Sequence, residues 1–106
     1  MIDMKKKPAD IIIEAARLKP NGQLDYVRAY QRRGATYSDC VLLTRSELLE
    51  QLLKGKAVAT GQRTNLLAST FINITQVRVV PSADRFIITS GSLRATQDEL
   101  PEVPTL

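Results

Sequence analysis

The clearest sign of the architecture lies in residues 10–32, which read DIIIEAARLKPNGQLDYVRAYQR. In the middle of this stretch, proline, asparagine and glycine occupy the positions that suit a type I turn followed by a left-handed residue. A three-residue loop of this kind pairs Lys19 with Gln23, and each earlier residue then faces the one equally far beyond the turn. The sequence therefore predicts a β-hairpin.

The charges of the two strands support this register. Each of the three acidic residues, Asp10, Glu14 and Asp25, faces an arginine, and Ile12 faces Tyr30. Opposite charges and aromatic–aliphatic pairs across antiparallel strands each contribute about 0.2–1 kcal/mol. Residue propensities alone do not exclude a helix, because the alanines that follow the three isoleucines favour helix formation. The pairing favours strands, since a helix would not produce it.

A second turn is expected near Gly34. A four-residue loop from Arg32 to Ala35 pairs Tyr30 with Tyr37 and gives the best match of side chains. A three-residue loop places the glycine equally well but shifts the register by one residue and loses these matches. The preferred register predicts a three-stranded meander with strands at residues 10–18, 24–32 and 36–43.

One helix is predicted at residues 45–54. Thr44 and Glu47 have the spacing of a capping box, and Gly55 stands where a helix commonly ends in the left-handed conformation. The apolar stripe between these signals is expected to pack on the core and consists of Leu48, Leu49, Leu52 and Leu53.

The rest of the chain predicts further short strands. They lie at residues 56–60, at 70–80 and at 85–90, with a loop at 61–69. The alternation of apolar residues changes phase within 70–80, which indicates a bulge or a corner. The expected fold class is α+β: a small antiparallel β-sheet or partly open barrel of about six short strands, with one α-helix at 45–54.

The composition excludes several kinds of chemistry. The chain of 106 residues has no histidine, the commonest general base and metal ligand, and its one cysteine is Cys40. A lone cysteine within a strand is more often a small buried residue than a nucleophile. No acidic cluster has the spacing of metal ligands. We therefore expect no enzymatic activity, no catalytic residue, no metal and no cofactor.

The charge is unevenly distributed. Residues 1–95 hold all 15 basic residues and eight acidic ones, a balance of +7, whereas residues 96–106 hold three acids and no base, a balance of −3. We expect a flexible basic segment at 1–7, a single β-rich domain at 8–95 and a flexible acidic tail at 96–106. In the alternative, the tail folds back on the basic body and competes with an anionic partner.

No apolar run approaches the roughly 20 residues of a membrane-spanning helix, and no secretory signal follows the N-terminal lysines. The expected location is the cytoplasm, with no membrane association.

In the predicted register, the tyrosines Tyr26, Tyr30 and Tyr37 share one face of the meander with Arg28 and Arg32. Tyrosines interleaved with arginines hold single-stranded nucleic acid on several sheet domains, and the same residues are enriched in protein interfaces. The face also carries enough aliphatic residues to be the core side. The sequence leaves open whether it is core or binding surface.

The candidate binding residues combine this face with basic residues that lack a predicted acidic partner. They are Tyr26, Arg28, Tyr30, Arg32, Arg33, Tyr37, Lys56 and Arg63.

The leading functional hypothesis is a small non-enzymatic module that acts through protein–protein contacts and forms homo-oligomers. Both faces of the meander are apolar, and so small a domain rarely covers two faces of a sheet alone. The alternative is a nucleic-acid-binding protein that uses the tyrosine–arginine face. A less favoured variant has helices at 9–19 and 23–33, which would resemble a winged-helix DNA binder.

Overall fold

The computed structural model describes residues 9–34, 36–63, 71–82, 85–91, 97–101 and 103–106. The predicted basic segment at 1–7 and most of the predicted loop at 61–69 lie outside these ranges. Within them the chain forms seven β-strands and one α-helix: β1 (Ile11–Leu18), β2 (Leu24–Arg33), β3 (Thr36–Thr44), α1 (Arg45–Leu53), β4 (Val58–Arg63), β5 (Phe71–Gln76), β6 (Arg78–Ser82) and β7 (Arg85–Thr89). The α+β class is confirmed.

The strands form a five-stranded sheet in the order β3-β2-β1-β4-β5 and a separate two-stranded sheet of β6 and β7. The larger sheet is open rather than a closed barrel. Its central pair, β1 and β4, runs parallel, with Ile11 opposite Val58 and Ile13 opposite Thr60. The expected antiparallel pairing is found for the other three pairs of this sheet, and β1 with β4 is the exception. The chain between β1 and β4 returns through β2, β3 and α1, which is long enough for a parallel crossover.

The first hairpin forms at the predicted turn. The Lys19 amide donates to the Gln23 carbonyl at 2.8 Å, and the Gly22 amide donates to the Lys19 carbonyl at 2.9 Å. Gly22 has a φ of +85°, which glycine adopts at little cost. Residues 9–19 and 23–33 thus contain strands, and the winged-helix alternative is wrong.

The register of this hairpin is confirmed at its ends and differs in between. Ile12 faces Tyr30 and Leu18 faces Leu24, as predicted, but the pairing shifts by one residue between these points. Arg17 consequently faces Tyr26 instead of Asp25. One irregularity lies at each end of the shifted segment, and two compensating bulges cannot be read from a pattern that assumes continuous pairing.

The predicted register between β2 and β3 is wrong by three residues. Tyr30 faces Cys40 and Arg28 faces Leu42, and the strands meet at Arg33 and Thr36. The connection is shorter than predicted because Gly34, with a φ of +59°, turns the chain within two residues. A displacement by an odd number of residues puts the β3 residues from Cys40 to Thr44 on the face opposite to the predicted one.

The second half of the chain follows the prediction more closely. The phase change within 70–80 corresponds to the break between β5 and β6, which belong to different sheets. The strand predicted at 56–60 begins later and is longer, so that Gly61 and Arg63 lie in β4 and not in a loop.

Helix α1 begins at the predicted cap. The Glu47 amide donates to the Thr44 hydroxyl at 3.3 Å, and the Thr44 amide donates to the Glu47 carboxylate at 2.9 Å. Leu48 is fully buried, whereas Leu53 is 57% exposed and does not belong to the packed stripe.

The core lies between one face of the five-stranded sheet, α1 and the smaller sheet. This face is the one opposite Tyr26 and Tyr30. The core cluster contains Ile11, Ile13, Ala16, Leu24, Val27, Ala29, Leu48, Val58, Val77, Ile88 and Leu100.

Candidate interaction surfaces

Three predicted binding residues of β2, Tyr26, Arg28 and Tyr30, lie on the side of the sheet away from the core. They alternate with the fully buried Val27 and Ala29. Both tyrosines are half-buried and Arg28 is exposed. We call this side the outer face and define it by Tyr26, Arg28 and Tyr30 with their cross-strand neighbours Cys40 and Leu42.

The outer face includes an ion pair. Arg28 Nε donates to Glu14 Oε1 at 2.8 Å, and the Tyr30 hydroxyl donates to the same oxygen at 3.3 Å. Glu14 and Arg28 form the predicted pair although they are not opposite each other, because Glu14 occupies the irregular position next to Ala15, which faces Arg28. An anion that approaches Arg28 must therefore compete with a carboxylate already in place.

Tyr37 is more deeply buried than Tyr26 and Tyr30. It is 9% exposed, and its hydroxyl donates to the Ala9 carbonyl at 2.6 Å. Burial raises the pKa of Tyr37, and of the nearby charges Arg32 lowers it while Asp10 raises it further. Tyr37 is not the cross-strand partner of Tyr30 as predicted, because Tyr30 faces Cys40.

The remaining predicted residues are spread over three elements. Arg32 and Arg33 lie at the exposed end of β2, beside the irregularity that precedes Gly34. Lys56 is exposed after α1, and its amide donates to the Gln51 carbonyl at 3.1 Å. Arg63 is the last residue of β4.

Strand β3 forms one edge of the sheet. In the part of the chain that the structure describes, it pairs with β2 and no strand pairs with its other side. Its nine residues contain no lysine or proline, and Asp39 is their one charged residue. Leu42 is 62% exposed, and Cys40 is exposed rather than buried as expected from the sequence. Long open edges of this kind are what other proteins pair with.

A second surface was missed by the sequence reasoning and is built around Asp98. This carboxylate is 3% exposed. Its Oδ2 accepts hydrogen bonds from Arg45 Nε at 2.7 Å and from the Leu24 amide at 2.8 Å. Its Oδ1 accepts from the Ile88 amide at 3.0 Å and from Arg45 Nη2 at 3.3 Å. The site joins the start of β2, the first residue of α1, and β7.

The hydrogen bonds keep Asp98 ionised. Burial by itself would raise the pKa of Asp98, but the Arg45 guanidinium and the amides of Ile88 and Leu24 outweigh it and hold this pKa below its ordinary value. A buried carboxylate that accepts four hydrogen bonds can remain ionised, because these bonds replace its lost hydration.

The rest of the C-terminal segment, the described residues of 97–106, pairs with two sheet edges. The Glu99 amide donates to the Ile88 carbonyl at 3.0 Å, beside β7. Further along, the Ala16 amide donates to the Pro104 carbonyl at 3.0 Å, and the Leu106 amide donates to the Ala16 carbonyl at 2.8 Å. This edge of β1 is open at Ala16 because β4 pairs only with Ile11–Ile13.

These contacts show the described residues of the segment docked on the rest of the chain, and competition with an anionic partner stays a prediction. Leu100 is 8% exposed and Val103 packs against the core cluster. Leu100 and Val103 are three residues apart, as on one face of a helix, but Pro101 and Pro104 argue against a helix, so apolar periodicity does not predict this docking.

Among the described residues, no three His, Cys, Asp or Glu side chains lie close enough to hold a metal ion. The same residues include no helix long and apolar enough to cross a membrane. No family model matches the chain, and no curated protein or solved structure matches it either. The function is therefore inferred from the two surfaces themselves.

Proposed function

We propose that this protein is a non-enzymatic interaction module of the cytoplasm that self-associates, and that two copies join through their β3 strands. The observation that carries the proposal is the exposed Leu42 on an edge strand whose outer side no described strand covers. A second β3 strand running antiparallel would extend the sheet across a two-fold axis.

The backbone of β3 favours such pairing. An edge strand presents N–H and C=O groups that a further strand can satisfy, and proteins that avoid this place lysine or proline on the edge. β3 has neither residue over its nine positions. It therefore lacks these two protections against a second copy.

The charge pattern supports a second copy as the partner. Residues 1–95 carry a balance of +7, so two copies repel each other over most approaches. Between Arg33 and Arg45 the chain has one charge, that of Asp39. Two like-charged bodies consequently meet with least repulsion along β3.

The outer face beside β3 adds apolar contact area. Leu42 lies next to Arg28 across the strands, between the half-buried Tyr26 and Tyr30. Tyrosine and arginine are enriched at the centres of protein interfaces. Full burial of a leucine side chain contributes about 1.5–3 kcal/mol.

Light scattering coupled to size-exclusion chromatography tests the proposal. The mass of the wild-type chain should rise with concentration toward that of a dimer. Leu42→Lys should weaken dimerisation by tenfold or more, since each factor of ten corresponds to about 1.4 kcal/mol. Leu53→Lys is the matched control, because Leu53 is also exposed but lies on α1. A wild-type chain that stays monomeric, or a Leu42→Lys chain that matches it, contradicts the proposal.

Nucleic-acid binding by the outer face is the second hypothesis and has less support. Tyr37 is buried and its hydroxyl donates to the Ala9 carbonyl, and the Arg28 guanidinium already donates to the Glu14 carboxylate. Titration of a labelled single-stranded oligonucleotide at two salt concentrations tests it, because phosphate contacts weaken steeply with salt. Glu14→Gln should then raise the affinity. Absence of binding at low salt rejects this role.

A further inference from the structure

The site around Asp98 has the properties of a peptide-binding groove that holds a segment of its own chain. We infer that the groove also accepts residues 97–106 of a second copy, so that two chains can exchange their C-terminal segments. This surface is separate from β3, and the inference does not depend on pairing at that edge.

The groove contains a receptor for one carboxylate. Its donors are the Arg45 guanidinium and the amides of Leu24 and Ile88, all between 2.7 and 3.3 Å from the Asp98 oxygens. Arg45 is held in place by a further hydrogen bond to the Phe86 carbonyl. Every one of these groups belongs to residues 24–88, so the receptor is complete without the segment that fills it.

The groove also contains two open strand edges. One is the outer side of β7, where Thr89 and Glu99 form a parallel bridge, and the other is β1 at Ala16, which forms a parallel bridge with Thr105. Addition of an extended segment to exposed strand edges is a common mode of peptide recognition, with main-chain bonds for affinity and side-chain pockets for specificity. Leu100 and Val103 supply the apolar side chains here.

Charge complementarity between the segment and the body makes a second copy a suitable partner. Residues 96–106 carry −3 and residues 1–95 carry +7, so the segment of one chain is attracted to the body of another. The segment pairs with the body at strand edges. Exchange would keep every contact of the docked segment and change only which chain supplies it.

The groove can hold the segment of its own chain or that of a second copy, and its own segment normally occupies it. Its connection to the body gives it an effective concentration in the millimolar range, above that of a second copy in dilute solution. Exchange therefore becomes measurable when neither chain can form the Arg45–Asp98 contact within itself. One such contact must still be possible between the two chains.

A complementation experiment with two full-length variants creates this situation. The Arg45→Gln chain keeps the segment but lacks the receptor, and the Asp98→Asn chain keeps the receptor but lacks the carboxylate. Both also carry Leu42→Lys, which removes β3 pairing from the measurement. Native mass spectrometry, with one chain labelled with nitrogen-15, counts mixed dimers separately from dimers of either chain.

The mixture should contain roughly tenfold more dimer than either variant alone, because only the mixture can form an Arg45–Asp98 contact. The double variant Arg45→Gln/Asp98→Asn, mixed with the Asp98→Asn chain, is the control and should give no such increase. Equal dimer fractions in all mixtures overturn the inference. That outcome leaves the Leu42→Lys experiment unaffected, so the two proposals fail separately.

A synthetic peptide of residues 96–106 covers the case in which a variant folds poorly. The peptide should raise the melting temperature of the Asp98→Asn chain saturably, or restore its circular dichroism if the chain is unfolded. The same peptide with Asp98→Asn should not do so. A wild-type peptide that changes neither signal rejects the inference.

Discussion

Asp98 and Arg45 form a buried ion pair across 53 positions of the chain, with 2.7 Å between the Arg45 Nε and the carboxylate. Arg45 opens α1, and Asp98 belongs to the acidic C-terminal segment. The pair, with the amides of Leu24 and Ile88, therefore joins the helix, both sheets and the C-terminal segment at one carboxylate.

Removing the Asp98 carboxylate should destabilise the fold strongly. Asp98→Ala leaves the Arg45 guanidinium, 19% exposed, without its ion partner, and loss of one member of a buried pair costs about 3–5 kcal/mol. Urea unfolding followed by circular dichroism measures the free energy of unfolding. Glu50→Ala is the control, because Glu50 pairs with Lys54 at 3.6 Å on the exposed face of α1 and should contribute at most about 0.5 kcal/mol. Equal losses for the two variants would contradict this assignment.

The same carboxylate should make stability depend on pH in the acidic range. Because the folded protein holds the pKa of Asp98 below its ordinary value, this stabilisation is fully present above the unfolded pKa of about 3.9. It is lost as the pH falls through the folded pKa, since the unfolded chain binds the proton first. The urea midpoint should therefore fall more steeply below about pH 4 for the wild type than for Asp98→Asn. Parallel curves would show that another group is responsible.

Tyr37 should titrate at higher pH than an exposed tyrosine. Its pKa is raised chiefly by burial, because the phenolate would lose its hydration. Tyrosinate absorbance during an alkaline titration should contain a late component that disappears in Tyr37→Phe. That variant also loses the hydrogen bond to the Ala9 carbonyl, at a cost of about 0.5–1.5 kcal/mol. A late component that persists in Tyr37→Phe would assign the shift to a different residue.

The sequence was sufficient where structure is determined by neighbouring residues. The turn at Gly22 and the cap at Thr44 depend on residues within five positions, and both formed as predicted. The phase change that separates β5 from β6 is also a local pattern. The turn and cap residues and the periodicity of the apolar residues were therefore enough to predict these strands and the helix.

The sequence was insufficient where pairing depends on distant residues. The irregularities between β1 and β2 left Arg17 opposite Tyr26 instead of Asp25. The tight turn at Gly34 left Tyr30 opposite Cys40 instead of Tyr37. The docking of Asp98 depends on donors 10 to 74 positions away. Three acidic residues among prolines resemble a solvated tail until the receptor that binds one of them is known.

Cys40 provides a direct probe of the β3 edge. It is exposed on the edge strand, two residues from Leu42 and opposite Tyr30. If two β3 strands pair antiparallel, the two Cys40 thiols lie on neighbouring strands, and a short bismaleimide should link them into a covalent dimer. Leu42→Lys should lower the yield several-fold at the same protein concentration, while Leu53→Lys should leave it unchanged and Cys40→Ser should abolish it. A yield that is equal in the wild type and in Leu42→Lys would mean that the thiols react through random collisions, and the β3 interface would then be rejected.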